Sequence, residues 1–150
     1  MSRITFSNAS EQDFIPLMSE LARAHQMYSL YDAEIHRLAG SDLTAPQAKV
    51  IFCLGNTDGM TCSEITDKTL ITKGTLTGVI DRLETKGLVK RWGDSADGRR
   101  IIVELTKEGK NVFRREYPRY VSLLKARFDG LSKKDREQAK ALLGKIAALF

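Results

Sequence analysis

The sequence predicts a mainly α-helical chain with one small β-hairpin inserted after its fourth helix. Three observations carry this. Apolar residues recur at helical spacing along most of the 150 residues. Between positions 88 and 105 the pattern switches to β-branched and aromatic residues around a polar turn. Capping residues and glycines also punctuate the chain where those segments begin and end.

The first helix is expected over residues 11–38. Phe14, Leu21, Tyr28 and Ile35 lie seven apart, and Leu17, Ala24, Tyr31 and Leu38 form a second row. Such an a/d seam suits helices that pack lengthwise on other helices. At about 1.5 Å per residue it spans roughly 40 Å, more than a small domain needs to cover its core. Gly40 ends it. Thr44-Ala45-Pro46-Gln47 reads as a capping box with proline tolerated in the first turn, ahead of the apolar stripe Val50, Ile51 and Leu54.

Thr61-Cys62-Ser63-Glu64 is a second capping box and opens a short helix toward Lys68. Thr72 can cap the next helix, which buries Leu76, Val79, Ile80 and Leu83 and stops at Gly87. Residues 88–92 and 101–105 read as strands, with Ile101, Val103 and Leu105 alternating to one face. Thr106 can cap a helix through Phe113, Tyr117, Tyr120, Leu124 and Phe128, in which Pro118 should cause a kink or a break. Beyond Gly130, Ser132 and Asp135 cap a last helix expected to bury Ala139, Leu142, Leu143, Ile146 and Leu149.

Composition narrows the function classes. Hydrophobic content of 42% and charged content of 29% describe an ordinary globular chain. The longest apolar run, residues 50–54, is far short of the roughly 20 residues of a membrane span. The N-terminus lacks the apolar core of a signal peptide, so a cytoplasmic location is expected. Cys53 and Cys62 form no CxxC pair, and His25 and His36 lack a third ligand at metal spacing, which predicts neither a disulfide nor a metal site. No glycine-rich phosphate loop follows a strand, and no Ser-His-acid set can be placed, so no enzymatic activity and no cofactor are expected. The net charge of +5 is unevenly spread, being −3 over residues 1–43, +1 over 44–106 and +7 over 107–150. A basic balance permits nucleic-acid binding without establishing it.

Two short helices joined by a tight turn and followed by a hairpin, over residues 61–106, form the pattern of a winged helix-turn-helix. The second helix of such a pair enters the major groove with its first turns near base edges. Those turns here offer Thr72, Lys73, Gly74, Thr75, Thr77 and Gly78, and the first acid is Asp81. Small residues allow close approach, hydroxyls can donate or accept, and Lys73 can reach a phosphate or a guanine. The same residues also suit a solvated helix start. On the hairpin, Lys90 and Arg91 lie on the first strand and Arg99 and Arg100 follow the turn, and all four are expected to contact DNA. An arginine at a hairpin tip suits a narrow minor groove, and Asp97 is placed to orient it by a bidentate pair.

The ordered set Leu43-Thr44…Gln47, Thr61…Glu64-Ile65, Thr75 through Glu84, Lys86-Gly87-Leu88-Val89…Arg91, Asp97-Gly98-Arg99-Arg100 and Leu105-Thr106…Gly109 resembles the MarR family of bacterial regulators. The match covers residues 43–109. It implies that residues 1–150 form one protomer, with 43–106 as the DNA-binding winged helix-turn-helix. Residues 11–39 and 107–150 would be the helical dimerisation part, through Phe14, Leu17, Leu21, Leu142, Ile146 and Leu149. It further implies a homodimer reading a palindromic operator, with Arg99 in the minor groove and residues 72–82 in the major groove. Many members lose DNA affinity on binding small aromatic ligands or on oxidation.

Gly78 departs from the family pattern, in which a larger and often basic residue is common, and Arg82 admits either a structural or a DNA-facing role. His25, Tyr28 and Tyr31 are candidates for an effector pocket, with core packing as the alternative. Cys62, at a helix start that could lower its thiol pKa, is a candidate redox residue. A serine there that left peroxide sensitivity of DNA binding unchanged would remove it. The reading is a sequence-specific DNA-binding regulator acting as a repressor. The alternative is an architectural DNA-binding or protein-interaction module without operator specificity.

Overall fold

The computed structural model describes residues 3–93, 96 and 98–150. It divides into two compact units, one reaching to Ala45 and one from Pro46 to Phe150. In the first, a 3₁₀ turn at Ala9–Glu11 precedes helix α1, Phe14–Leu38. The helix begins at Phe14, the first residue of the heptad rows, and not at the expected residue 11. Pro16 explains this, since its missing N–H is harmless only in a first turn and its ring would clash with a helical carbonyl four residues earlier. Gly40 takes the left-handed conformation (φ 69°) just beyond the C-cap, as expected of the residue that ends it.

The second unit runs α2 (Ala45–Leu54, its first residue at the division), β1 (Met60–Thr61), α3 (Cys62–Thr69), α4 (Lys73–Thr85), β2 (Val89–Gly93), β3 (Ile101–Leu105), α5 (Lys107–Phe128) and α6 (Lys133–Ala147). The strands form an antiparallel sheet in the order β1-β3-β2, with Arg91 opposite Val103 and Thr61 opposite Ile102. Strand β1 was not foreseen, because two residues are too few to show an alternation. Its pairing buries Ile102 as well as Val103 and Leu105, so the expected single apolar face of this strand is corrected, and Ile101 at its end stays exposed. Ile51, Leu54, Ile65, Leu76, Ile80, Leu83 and Val103 form the fully buried core.

The caps hold the elements in register. Thr61 Oγ1 accepts from the Glu64 N–H at 3.2 Å, and the Glu64 carboxylate accepts from the Thr61 N–H at 2.7 Å. That second bond keeps the Glu64 carboxyl below its usual pKa range. Gly87 (φ 70°) closes α4, with the Leu88 N–H on the Leu83 carbonyl and its own N–H on that of Glu84, both 2.9 Å. Thr106 then ties the start of α5 to this turn, its hydroxyl donating to the Gly87 carbonyl at 2.6 Å while it accepts from the Gly109 N–H. A Cβ on Gly109 would lie 2.0 Å from the Leu88 carbonyl oxygen, which is backbone and cannot swing aside. Gly109→Ala should therefore lower stability in chemical denaturation by about 1–3 kcal/mol, the usual cost of overpacking.

Of the kink or break expected at Pro118, the break is corrected, since helix α5 continues through it. The proline is exposed, so water can serve the carbonyl that loses its helical donor. Helix α6 is capped by Ser132 and Asp135 as expected, yet no residue in it is buried. Leu142, Leu143 and Leu149 are 55%, 52% and 78% exposed, so the expected burial of this stripe is corrected for the described residues. Phe14 and Leu17 of α1 are likewise 45% and 49% exposed, while Leu21 and Ile146 are half-buried.

Candidate nucleic-acid interface

Helix α4 has two unlike faces. Leu76, Val79, Ile80 and Leu83 are buried, whereas Thr72, Lys73, Gly74, Thr75 and Thr77 are exposed and Gly78 is half-exposed. Thr72 is the N-cap, and its hydroxyl oxygen accepts from the Thr75 N–H and lies 3.2 Å from the Thr75 hydroxyl. The Thr77 hydroxyl donates back to the Lys73 carbonyl at 3.2 Å. What Thr77 keeps for an outside partner is therefore acceptor lone pairs and a methyl group, suited to an amino group or a thymine methyl.

Gly74 and Gly78 lie one turn apart, and a Cβ at either would meet nothing within 4 Å. Each weakens an exposed helix by up to about 1 kcal/mol relative to alanine. No packing among the described residues requires either glycine, and both leave the helix backbone open to a close neighbour.

The basic residues of the hairpin divide into two sets. Lys90 pairs with Glu104 at 2.8 Å across the β2–β3 ladder, which lowers the Glu104 pKa, with help from the Trp92 indole. Arg91 turns to the other face and forks onto α4, one terminal nitrogen on Asp81 at 2.6 Å and the other on Glu84. Partial burial pulls the Arg91 pKa down, but the two carboxylates outweigh it and the guanidinium ends above its ordinary range. Arg99 within the turn and Arg100 just after it are exposed, with Arg100 3.5 Å from Glu64. Asp97, expected to orient the tip arginines, lies outside the described residues. Arg82 is exposed and not packed into the core.

Sequence reasoning missed the Arg91 fork. Its signal was present in two acids three residues apart, Asp81 and Glu84, on a helix followed by a basic strand. Also missed was a cleft of about 430 Å³ lined by Cys62, Thr77, Arg91, Trp92, Gly93 and Ile101. Cys62 is thus half-exposed beside the face of α4 that carries Thr77. Cys53 packs 3.7 Å from the Met60 sulfur, and burial pushes its thiol pKa up. His25 and Tyr28 are exposed on α1 and Tyr31 is half-buried. Among the described residues no cluster of three His, Cys, Asp or Glu could hold a metal ion, and no helix is long and apolar enough to cross a membrane.

A profile of the MarR family matches residues 43–101. Over 96 residues the chain is 34% identical to the transcriptional regulator HosA of Escherichia coli, covering 63% of this chain and 71% of HosA. It is also 34% identical over 96 residues to the uncharacterized HTH-type transcriptional regulator YfiV of Bacillus subtilis, covering 64% of this chain. It spans only 60% of the length of YfiV. Among solved structures it resembles BpsR of Bordetella bronchiseptica, described for the regulation of its DNA binding by 6-hydroxynicotinic acid. The TM-score is 0.72 at 28% identity, covering 88% of this chain and 98% of that one.

Proposed function

The chain belongs to the MarR family, and from that premise we propose that it is a dimeric, sequence-specific DNA-binding transcription regulator that reads a palindromic operator. The observation that carries the reading is the exposed start of α4, which is polar, free of acids through Ile80, and opened by Gly74 and Gly78, against which no described residue packs. Thr72, Lys73, Thr75, Thr77 and Gly78 face the major groove, Arg82 adds a cation further along, and Arg99 and Arg100 reach the minor groove. Residues 43–106 are the DNA-binding part. Residues 11–39 and 107–150 supply the dimer contacts, and two copies hold their recognition helices about 34 Å apart, one turn of DNA.

The regulator acts as a repressor in the cytoplasm. A small aromatic effector, for which His25, Tyr28 and Tyr31 are the proposed lining, would change the spacing of the two recognition helices and shift the population away from the DNA-bound form. BpsR supports this by analogy, since its DNA binding is regulated by a small aromatic acid. Oxidation at Cys62 is the second proposed trigger, because the thiol shares a cleft with Thr77.

Selection of bound fragments from genomic DNA, followed by competition against bulk DNA over a range of salt, tests the reading. Recovery of one palindrome that outcompetes bulk DNA supports it. Equal binding of all sequences would make the protein architectural, and an absence of salt-dependent affinity would make it a protein-interaction module. A sharper expectation concerns Gly78. Alanine there should raise thermal stability by roughly 0.5–1 kcal/mol while weakening affinity for the selected duplex, since the new methyl group stands where DNA approaches.

A further inference from the structure

We propose that Arg91 is a positioning residue for DNA recognition and not a phosphate contact, an assignment that rests on the regulator reading above. It sits on β2 two residues before Gly93, where the strand gives way to the hairpin turn that leads to Arg99 and Arg100. Its two terminal nitrogens are each committed to a different carboxylate, Asp81 and Glu84, which lie three residues apart on α4. Two bonds to one planar guanidinium fix orientation as well as distance. The fork thereby joins the helix that carries Thr75 and Thr77 to the strand that leads to the hairpin tip.

Electrostatics gives the fork a second task. Asp81 and Glu84 are the only acids on α4, and their side chains are 59% and 42% exposed. Left uncompensated, they would repel a polyanion approaching this helix. Arg91 offsets one of the two charges and draws both carboxylates toward β2. With its side chain 28% exposed and both terminal nitrogens turned onto the α4 carboxylates, its charge serves them first, although three of its five N–H groups are not used by these two bonds. Lys90 is paired with Glu104 on the opposite face of the sheet, and the hairpin's DNA contact is assigned to Arg99 and Arg100.

The test compares wild type, Arg91→Gln, Asp81→Asn with Glu84→Gln, and the triple variant. Each is titrated with the selected palindromic duplex at several salt concentrations. Arg91→Gln should weaken binding roughly tenfold in the wild-type background and less than about twofold when both acids are already neutral, because coupled residues do not add. The slope of log affinity against log salt should stay unchanged.

An equal loss in both backgrounds, with the slope reduced by about one, would mean a direct phosphate contact and overturn the proposal. A separate readout needs no DNA. Backbone amides of residues 90–93 should exchange with solvent faster in Arg91→Gln and in the double-acid variant, to a similar extent. Unchanged exchange would overturn the brace even if wild type binds its duplex normally. Wild type failing to bind any duplex would instead sink the regulator reading, and the recognition role of Arg91 with it. Should Arg91→Gln fold poorly, Arg91→Lys keeps the charge but loses the fork. It should give an intermediate loss of affinity, and wild-type affinity for it would count against the proposal.

Discussion

Arg99→Ala should cost about ten- to hundredfold in affinity for the selected duplex while leaving the size of the protein in solution unchanged. The magnitude is that of losing one well-placed guanidinium contact, about 1–3 kcal/mol. Arg99 stands exposed in the hairpin turn, and its reach into a narrow minor groove would use the strong negative potential found there. Arg99→Lys should recover part of the loss, because a lysine supplies charge without the flat fork. Affinity would be measured by fluorescence anisotropy at fixed salt, with sedimentation velocity as the control for assembly. Unchanged affinity in the alanine variant would remove the hairpin tip from the interface and leave specificity to α4 alone.

The second large effect is expected at the uncovered apolar faces. Helix α6 buries none of its residues, although Leu142, Leu143 and Ile146 give it an apolar stripe. A helix of 15 residues is marginal in water by itself. Some other surface must cover that stripe, and a second copy of the chain is the proposed cover, with Phe14 and Leu17 of α1 contributing likewise. Phe14→Asp combined with Leu149→Asp should convert the proposed dimer to monomer in sedimentation equilibrium, since each places a charge where an apolar contact is expected.

Operator affinity should then fall by about two orders of magnitude or more, because two half-sites no longer bind as one linked unit. Thermal unfolding of the winged part should persist, because its core of Ile65, Leu76, Ile80, Leu83 and Val103 lies within one chain. A variant that stayed dimeric with wild-type affinity would place the dimer contacts elsewhere.

How much was legible in the sequence follows the range of the interactions. The helix starts at Cys62, Lys73, Lys107 and Lys133 could be read because each depends on a hydroxyl and an N–H three residues apart, at Thr61, Thr72, Thr106 and Ser132. The α4 stop at Gly87 was equally local, and the hairpin was legible from its alternation and polar turn. The start of α1 was set three residues too early, ahead of the first heptad residue Phe14, although Pro16 fits only a first turn. Strand β1 went unseen because its only reason to exist is the ladder of β3, some 40 residues later in the chain.

The candidate interface divides along the same line. By itself the sequence determined the helix-turn-helix with its hairpin, the polar and acid-free opening of α4, and the membership these imply, because each rests on residue types within a turn or two of one another. Only the tertiary structure decided which cations are engaged. It set Lys90 on Glu104 and Arg91 on Asp81 and Glu84, and it left the stripe of α6 uncovered. The physical reason is that ion pairing and burial depend on which elements meet in space. A strand residue ten positions beyond its partner acid pairs with it only once the sheet has folded back against the helix.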